Sequence, residues 1–199
     1  RQIRSVWIFA GLVLLFVTFV ILDLMTGTVK IPASKVIGVI SGGVSDNHVW
    51  STILFDFRIP KMLTAILAGS ALSVSGLQMQ TVFRNPLAGP DVLGVSSGAS
   101  LGVALVVLGF GDIFMTQNMS YLSSWIQIIA AWLGAGLVLL LVMFVSLRVR
   151  DIMTILILGI LFGSAASAFV SILQYFSPQS LLKAFVVWSM GNLGNLTGI

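Results

Sequence analysis

The polar side chains within the apolar segments are the residues of this sequence that could do chemistry. They are serines and glutamines, namely Ser73, Ser75, Gln78, Gln80, Gln127, Ser164, Ser167, Ser171 and Gln174. No acidic or basic residue lies at the middle of a predicted membrane span. Proton-coupled transport and intramembrane catalysis both depend on ionisable groups at that depth. The pattern therefore argues against both, and predicts polar side chains that either pack by hydrogen bonding or line a path for a solute.

The sequence lacks the residues that metal sites, catalytic sites and nucleotide-binding sites require. The chain has no cysteine, and its one histidine, His48, has no partner carboxylate and is expected in a solvated loop. The sequence also contains no GxxxxGK[ST] loop, whose backbone would cradle the phosphates of a nucleotide. We expect no catalytic residue, no metal site, no cofactor and no ATP hydrolysis by this chain alone.

The composition indicates a surface that faces lipid. The chain has 199 residues, of which 58% are apolar and 8% charged, and its mean hydropathy is +1.10. A soluble domain typically carries about 25% charged residues. The net charge of +4 comes from ten basic residues that form no run or stripe, so we expect no nucleic-acid partner. The basic residues are better explained as anchors at helix ends.

The apolar segments predict an all-α fold, a polytopic transmembrane helix bundle in a single transmembrane domain, residues 1–199. About 20 apolar residues are needed to cross roughly 30 Å of hydrocarbon. We predict five spans, at about residues 6–22, 62–83, 92–108, 125–147 and 152–175. A signal peptide is the alternative for the first segment, but its length and the lack of a small-x-small cleavage pattern favour a retained span. A short interfacial helix is expected after Pro178, with Ser177 as its cap.

The second and third spans are predicted to form a helical hairpin. Asp56, Arg58 and Lys61 would each cost roughly 3 kcal/mol near the bilayer centre, so the second span is expected to start near Met62. The proline-bounded turn at residues 84–90 should then fold the third span back onto the second. Asp91 is placed to cap the amino end of the third span.

Small residues spaced four apart predict close packing of the spans. Helices in lipid associate through close backbone approach, which small residues permit. The sets are Gly94, Gly98 and Gly102 in the third span, Gly159, Gly163, Ser167 and Ser171 in the fifth, and Ala65, Gly69 and Ser73 in the second. Small residues are common in membrane helices, but three such sets in five spans favour a packed bundle.

Several motifs carry a resemblance to a known family. They are RIPK at residues 58–61, AGSALSVSGLQMQ at 68–80, RNPLAGPDVLGVSSGASLG at 84–102 and WSMGNLGN at 188–195. In this order they resemble the FecCD type of ABC importer permease, whose members take up iron siderophores, haem and cobalamin. The resemblance covers only the first half of such a permease. We therefore expect the chain to be the N-terminal part of a longer permease, unable to transport alone.

The resemblance implies partners and a cellular location. It implies a homodimer of permease subunits in the lipid bilayer, a cytoplasmic ABC ATPase dimer that hydrolyses the ATP, and an extracytoplasmic substrate-binding protein. The chain would lie in the cell (inner) membrane, that is the plasma membrane, as a multi-pass protein with its N-terminus in the cytoplasm. The charges of the connecting loops favour this orientation only weakly.

The resemblance also implies roles for individual residues, each with a structural alternative. Asn85 and Leu87 match positions that border the cytoplasmic gate, although asparagine before proline also stabilises turns. Gln80 matches the glutamine of the motif, and an interhelical hydrogen bond is its alternative. Arg58 and Lys61 match or adjoin a position that meets the binding protein, and snorkelling to the interface is the alternative. The candidates for the translocation path on the fifth span, with packing as the alternative, are Ser167, Ser171 and Gln174.

Three functions stay open at this point. The first is a permease for an iron-siderophore type metal chelate, and the second is a haem or cobalamin importer permease. The third is a self-contained substrate-binding membrane subunit with five spans. The turn at residues 148–151 departs from the small hydroxyl residues of some family members, because Ile152 and Met153 occupy those positions. We therefore expect no gating role for that turn.

Overall fold

The computed structural model describes residues 2–27, 29–40, 48–111, 120–149 and 151–191. Over these residues the chain forms helices and no strand. The α-helices are α1 (Gln2–Met25), α2 (Ala33–Ile40), α3 (His48–Thr52), α4 (Ile59–Phe83), α5 (Val95–Ala104), α6 (Ser120–Ser146), α7 (Ile152–Phe176) and α8 (Gln179–Ser189). A first π-turn (Ile53–Arg58) joins α3 to α4, a 3₁₀ turn (Pro90–Leu93) precedes α5, and a second π-turn (Leu105–Gly109) follows it.

Four helical stretches in the described residues are long and apolar enough to cross a membrane. They are Arg4–Met25, Val49–Phe83, Ser124–Ser146 and Ile152–Phe176. The third span predicted from the sequence is instead the shorter helix Val95–Gly109, whose 15 residues reach about 22 Å. Pro90 begins the 3₁₀ turn, and Gly94 leaves it with φ +73°, so regular helix starts at Val95 rather than at residue 92. The structure thus supports a membrane helix bundle with four long candidate spans in its described part, and it does not confirm the fifth.

The second long helix begins earlier than the charge pattern predicts. Helical structure runs without a break from residue 48 to residue 83, whereas the sequence predicts a start near Met62. The continuous stretch Val49–Phe83 has 35 residues and reaches about 52 Å, more than the hydrocarbon thickness. Its first turns, which carry Asp56 and Arg58, can therefore be helical without lying in the lipid.

The chain divides into two compact units between Ser70 and Ala71. In the first unit, most of α1 is exposed, as expected of a helix that faces lipid. Its small core gathers where α1 ends, and four buried side chains form it: Leu24, Ile31, Val36 and Leu54. This core joins the connection between α1 and α2 to the first π-turn.

The second unit is organised around α5, which packs on α6 and α7. Its main apolar core lies at the carboxyl end of α5 and in the second π-turn. Helix α8 contributes Leu181 and Phe185 to this core, and its Trp188 ring stacks on Phe185 with ring centroids 6.1 Å apart. The predicted short helix after Pro178 is therefore present, and it is fixed to the end of α5 by its apolar face.

Helix α4 crosses the boundary between the two units, so its packing against the helix that follows the turn stays a prediction. Helix α5 packs on α6 and α7. The turn itself forms where the sequence places it, with Arg84 at φ +47° immediately after α4. The prolines predict the break in the helix, but the glycines of α5 decide which helices it contacts.

The cap of α8 also differs from expectation. Ser177 does not cap α8, because its Oγ donates to the Leu173 carbonyl oxygen of the preceding helix at 2.6 Å. Helix α8 begins at Gln179 with Pro178 at its N-cap. We also expected a loop at residues 109–124, of which residues 112–119 lie outside the described residues, whereas residues 120–124 are helical and belong to α6. The His48 side chain and the stretch 192–195 lie outside the described residues.

Candidate functional site

The turn between α4 and the 3₁₀ turn presents one apolar side chain to its surroundings. Asn85 Oδ1 accepts a hydrogen bond from the Leu87 backbone N at 2.9 Å, and the Ala88 N donates to the Asn85 carbonyl oxygen at 3.1 Å. The Asn85 N in turn donates to the Gln80 carbonyl oxygen at 3.2 Å. These bonds fix the turn and leave Leu87 88% exposed. Asn85 thus shapes the turn, and Leu87 is the residue that the turn displays.

The polar residues predicted to line a path on α7 are partly engaged in local hydrogen bonds. Ser167 Oγ donates to Ser97 Oγ of α5 at 3.3 Å, and Ser171 Oγ donates to the Ser167 carbonyl oxygen at 3.0 Å. Both serines are exposed, Gln174 is half-buried, and Gln80 on α4 is exposed. Ser97 is a contact that the sequence reading missed, although it lies within the motif at residues 84–102. The Ser167 and Ser171 hydroxyls thus make hydrogen bonds within the protein and are still exposed at its surface.

Glycines bring the backbones of α5 and α7 into contact. A Cβ added at Gly94 would lie 2.7 Å from the Gly159 carbonyl oxygen and 2.9 Å from the Gly163 Cα. A Cβ at Gly159 would lie 2.8 Å from the Leu93 Cα. No real side chain tolerates such distances to backbone, so glycine is required on both helices for this approach. It sets the amino end of α5 directly against α7.

A second glycine contact joins α5 to α6 and uses residues that the sequence reading missed. A Cβ at Gly98 would lie 2.5 Å from the Gly134 carbonyl oxygen, and one at Gly102 would lie 2.0 Å from the Ala130 carbonyl oxygen. Ala130 and Gly134 are themselves small residues four apart, the signal that could have revealed them. Gly69 on α4 differs, because a Cβ there would meet no described atom within 4 Å.

Two acidic residues lie at helix starts, with different partners. Asp91 Oδ1 accepts from Ser96 Oγ, and Gly94, not Asp91, holds the N-cap position of α5. The predicted capping of α5 by Asp91 is therefore wrong. Asp151 does cap α7, since its Oδ2 accepts from Thr154 N at 2.9 Å and from Thr154 Oγ1 at 2.7 Å. The Thr154 hydroxyl and then its amide lower the pKa of Asp151 below the ordinary 3.8.

The two cations predicted to meet a binding protein lie in different environments. Lys61 is exposed on α4. Arg58, at the end of the first π-turn, is buried, and its guanidinium donates to the carbonyl oxygens of Leu24 and Val29. Docking by either residue stays a prediction. The described residues contain no group of three or more His, Cys, Asp or Glu side chains placed to hold a metal ion.

Known proteins share both the sequence and the fold. The family model of the FecCD transport family matches residues 14–198. A Methanocaldococcus jannaschii protein described as an ABC transporter permease is 32% identical over 190 residues, 92% of this chain and 54% of the relative. The hemin transport system permease protein HmuU of Yersinia pestis is 34% identical over 148 residues, 74% of this chain and 42% of the relative. The vitamin B12 import system permease protein BtuC of Escherichia coli is 34% identical over 153 residues, 74% of this chain and 44% of the relative.

A solved structure has a similar fold. It is described as an inward-facing conformation of a metal-chelate type ABC transporter, with a TM-score of 0.77 and 28% sequence identity. The likeness covers 96% of this chain and 55% of that one. The chain thus spans about half the length of the relatives that it matches. With four long apolar helices and a family match over nearly its whole length, this chain is an integral membrane protein that belongs to the FecCD transport family of ABC transporter permeases.

Proposed function

We propose that this chain supplies the N-terminal part of a permease subunit of an ATP-driven importer, which moves an iron-siderophore type metal chelate into the cytoplasm. The family match over residues 14–198 carries the proposal. The helices agree with it, since Arg58 is the one buried charged side chain among the described residues and lies before α4. A large chelate moves through a gap between subunits rather than along a relay of ionisable groups, so the long spans need no buried charge of their own.

The displayed Leu87 and the exposed polar face of α7 are the proposed contacts with the moving solute. Asn85 holds the turn that carries Leu87, at what we take to be the cytoplasmic gate. Gln80, Ser167, Ser171 and Gln174 are the proposed polar lining of the path. An apolar gate closes by excluding water and reopens without breaking strong bonds, which suits a pore that must not leak ions.

The proposed assembly contains two permease subunits, a cytoplasmic ABC ATPase dimer and an extracytoplasmic substrate-binding protein. It would lie in the inner membrane with the N-terminus of this chain in the cytoplasm. The binding protein would dock near Lys61, where the connection between α1 and α2 meets the start of α4. Helix α8 would lie in the membrane interface on the same, outer side.

Uptake by the complete transporter tests the proposal. Proteoliposomes that contain the permease and its ATPase, with the binding protein outside, should accumulate an iron-55 siderophore chelate. The ATP is supplied in the lumen, on the side of the ATPase. Omission of ATP should abolish uptake. Leu87→Asp should slow uptake strongly, because a charge at the gate holds water there. Thr81→Ser, on the helix that precedes this turn, should leave uptake unchanged. Absence of ATP-dependent uptake of every chelate offered would contradict the proposal.

Haem or cobalamin is the second candidate for the solute. It is favoured by two relatives of similar identity, one named for hemin transport and one for vitamin B12 import. The same proteoliposomes should be offered haem and cobalamin in parallel with the siderophore chelate. Binding of solute by the permease alone, without the ATPase, would instead favour a self-contained substrate-binding subunit.

A further inference from the structure

Two adjacent aromatic side chains are exposed at the end of α7. Tyr175 is 84% exposed and Phe176 is 79% exposed, although α8 begins only a few residues later. Their rings meet edge to face, with centroids 5.1 Å apart and planes at 88°. This is one of the preferred arrangements of two aromatic rings. It leaves most of the Tyr175 ring uncovered, so that a further ring can stack on it.

Tyr175 continues a face of α7 that is made of small side chains. Residues four, seven and eleven positions before it share its side of the helix, since one turn holds about 3.6 residues. All three are exposed, and they are Ser171, Ala168 and Ser164. The face extends about 16 Å along the helix axis. Tyr175 is the one large side chain of these four, and it lies at the end of the face that adjoins α8.

Phe176 continues a different face, whose side chains are large and apolar. Residues four and seven positions before it are Ile172 and Phe169, and both are exposed. Acyl chains of lipid gain contact with such side chains, and they gain little from short side chains that carry hydroxyls. The face of Phe176 therefore suits lipid, whereas the face of Tyr175, about 100° away around the helix, suits a polar occupant.

The side chains of α7 determine which chemical group the Tyr175 face can hold. The helix carries no charged residue between Ile152 and Phe176, so it offers no ion pair to a carboxylate or an ammonium group. The Ser171 hydroxyl already donates to the Ser167 carbonyl oxygen at 3.0 Å. The phenol of Tyr175 stacks on flat conjugated rings, and its hydroxyl exchanges hydrogen bonds with polar substituents of such a ring. Ring stacking is thus the strongest recognition that this face provides.

We propose that Tyr175 is a specificity-determining residue of the solute path, and that its ring stacks on a flat conjugated ring of the solute. Such a ring is present in the catecholate or phenolate arm of an iron chelator and in a porphyrin, and it is absent from a hydroxamate chelator. The inference rests on the proposed function, because Tyr175 lies one turn beyond Ser171 of the proposed lining. In the proposed orientation this is the outer end of the path, where the solute enters.

Uptake by the complete transporter tests the preference for a conjugated ring. The parent should import an iron-55 tricatecholate chelate or haem, and the two are offered separately to tell these sources of the ring apart. Import only of solutes without a conjugated ring, such as an iron-55 trihydroxamate chelate, would overturn the inference. Failure to import any solute would instead contradict the proposed function.

Variants at position 175 separate the ring from its hydroxyl. With saturating loaded binding protein, Tyr175→Leu should slow uptake of the ring-bearing solute by about three- to tenfold, the loss expected for one aromatic pair. Tyr175→Phe keeps the ring and should keep most of the rate. Phe169→Leu removes an exposed ring from the apolar face and is the matched control, with unchanged uptake. A Tyr175→Leu variant as fast as the parent, or a Tyr175→Phe variant as slow as Tyr175→Leu, would overturn the inference.

Photocrosslinking gives a readout that does not depend on transport. Tyr175→p-benzoylphenylalanine is introduced into the complete transporter, which is irradiated with a carbon-14 gallium tricatecholate chelate and, separately, with carbon-14 zinc protoporphyrin. One of these solutes should label the permease from position 175, and neither should do so from Phe169→p-benzoylphenylalanine. Crosslinks from position 175 only to lipid or to a second permease subunit would overturn the inference. This result decides the role of Tyr175 even if the parent imports nothing.

Discussion

Single residues in this chain act mainly through the backbone that they approach. Glycine at position 134 allows α6 to touch α5, and a Cβ there would lie 2.1 Å from the Gly98 carbonyl oxygen. Two positions further along the same helix, a Cβ at Gly136 would meet no described atom within 4 Å. In lipid, where apolar side chains gain nothing by leaving water, such backbone contacts decide whether helices associate.

Gly134→Ala should destabilise the complete permease in detergent by about 1 to 3 kcal/mol, since backbone must shift to admit the methyl group. Gly136→Ala is the control on the same helix and should be neutral or stabilising by up to about 1 kcal/mol, because alanine favours helix. The thermal unfolding midpoint of each variant measures the difference. Equal midpoints for the two variants would contradict the glycine contact between α5 and α6.

Asp151 predicts a pH dependence at the start of α7. The hydrogen bonds from Thr154 hold the pKa of Asp151 below 3.8, so the folded state favours the ionised carboxylate. This stabilisation is fully present above the ordinary pKa and is lost as the pH falls through the lower, folded value. Asp151→Asn keeps an acceptor for the cap but cannot ionise. Between pH 5 and 3, roughly the range of carboxylate titration, the unfolding midpoint of the parent should fall more steeply than that of Asp151→Asn, and parallel curves would contradict the assignment.

At the scale of elements, short irregular turns determine where the helices begin and what they contact. The 3₁₀ turn at Pro90–Leu93 and the left-handed Gly94 shorten the predicted third span to Val95–Gly109. The second π-turn then leads from α5 into the core that receives α8. A Cβ at Gly111 would lie 2.7 Å from Leu181 Cδ2, which shows how closely α8 approaches this end of α5.

Leu181→Ala should loosen α8 from the end of α5. Leu181 is 2% exposed, and truncation of a buried leucine costs about 2 to 5 kcal/mol. Val187→Ala, on the exposed side of the same helix, should cost less than about 1 kcal/mol. Hydrogen exchange of the α8 amides measures both. If the two substitutions speed exchange equally, the apolar face of α8 is not what fixes it.

At the scale of the whole molecule, the exposed surface is the surface of a membrane protein. Large apolar side chains are exposed along almost the whole of α1, including Trp7, Phe9 and Phe16, and along α6 as well. Monomeric soluble proteins rarely expose so many large apolar side chains side by side. Such a surface needs apolar surroundings, and the match to a family of membrane permeases agrees with lipid as those surroundings.

Single cysteines should report the orientation of the chain. With the N-terminus in the cytoplasm, the connection after α1 lies outside and the turn after α4 lies inside. In intact cells, a membrane-impermeant maleimide should label Val29→Cys and leave Leu87→Cys unlabelled, although Leu87 is 88% exposed. Permeabilised cells should allow Leu87→Cys to react, which controls for its accessibility. The reverse pattern would place the N-terminus outside.

The sequence by itself determined the features that depend on neighbouring residues in the chain. Apolar length and scarce charge specify membrane helices, the two prolines specify the break after α4, and the motif at residues 84–102 specifies the family. Small residues four apart on the third and fifth predicted spans also marked positions where helices approach, because a backbone contact needs a missing side chain wherever the partner lies. The set that contains Gly69 on α4 did not, since a Cβ at Gly69 would meet no described atom within 4 Å.

The tertiary structure alone decided which surfaces meet. Gly98 and Gly134 are 36 positions apart, and no local preference pairs them. Arg58 appeared in the sequence as a cation too costly for lipid, yet it is buried and donates to the carbonyl oxygens of Leu24 and Val29, about 30 residues away. The cost of burying a charge depends on the partners brought to it, and those partners come from distant parts of the chain.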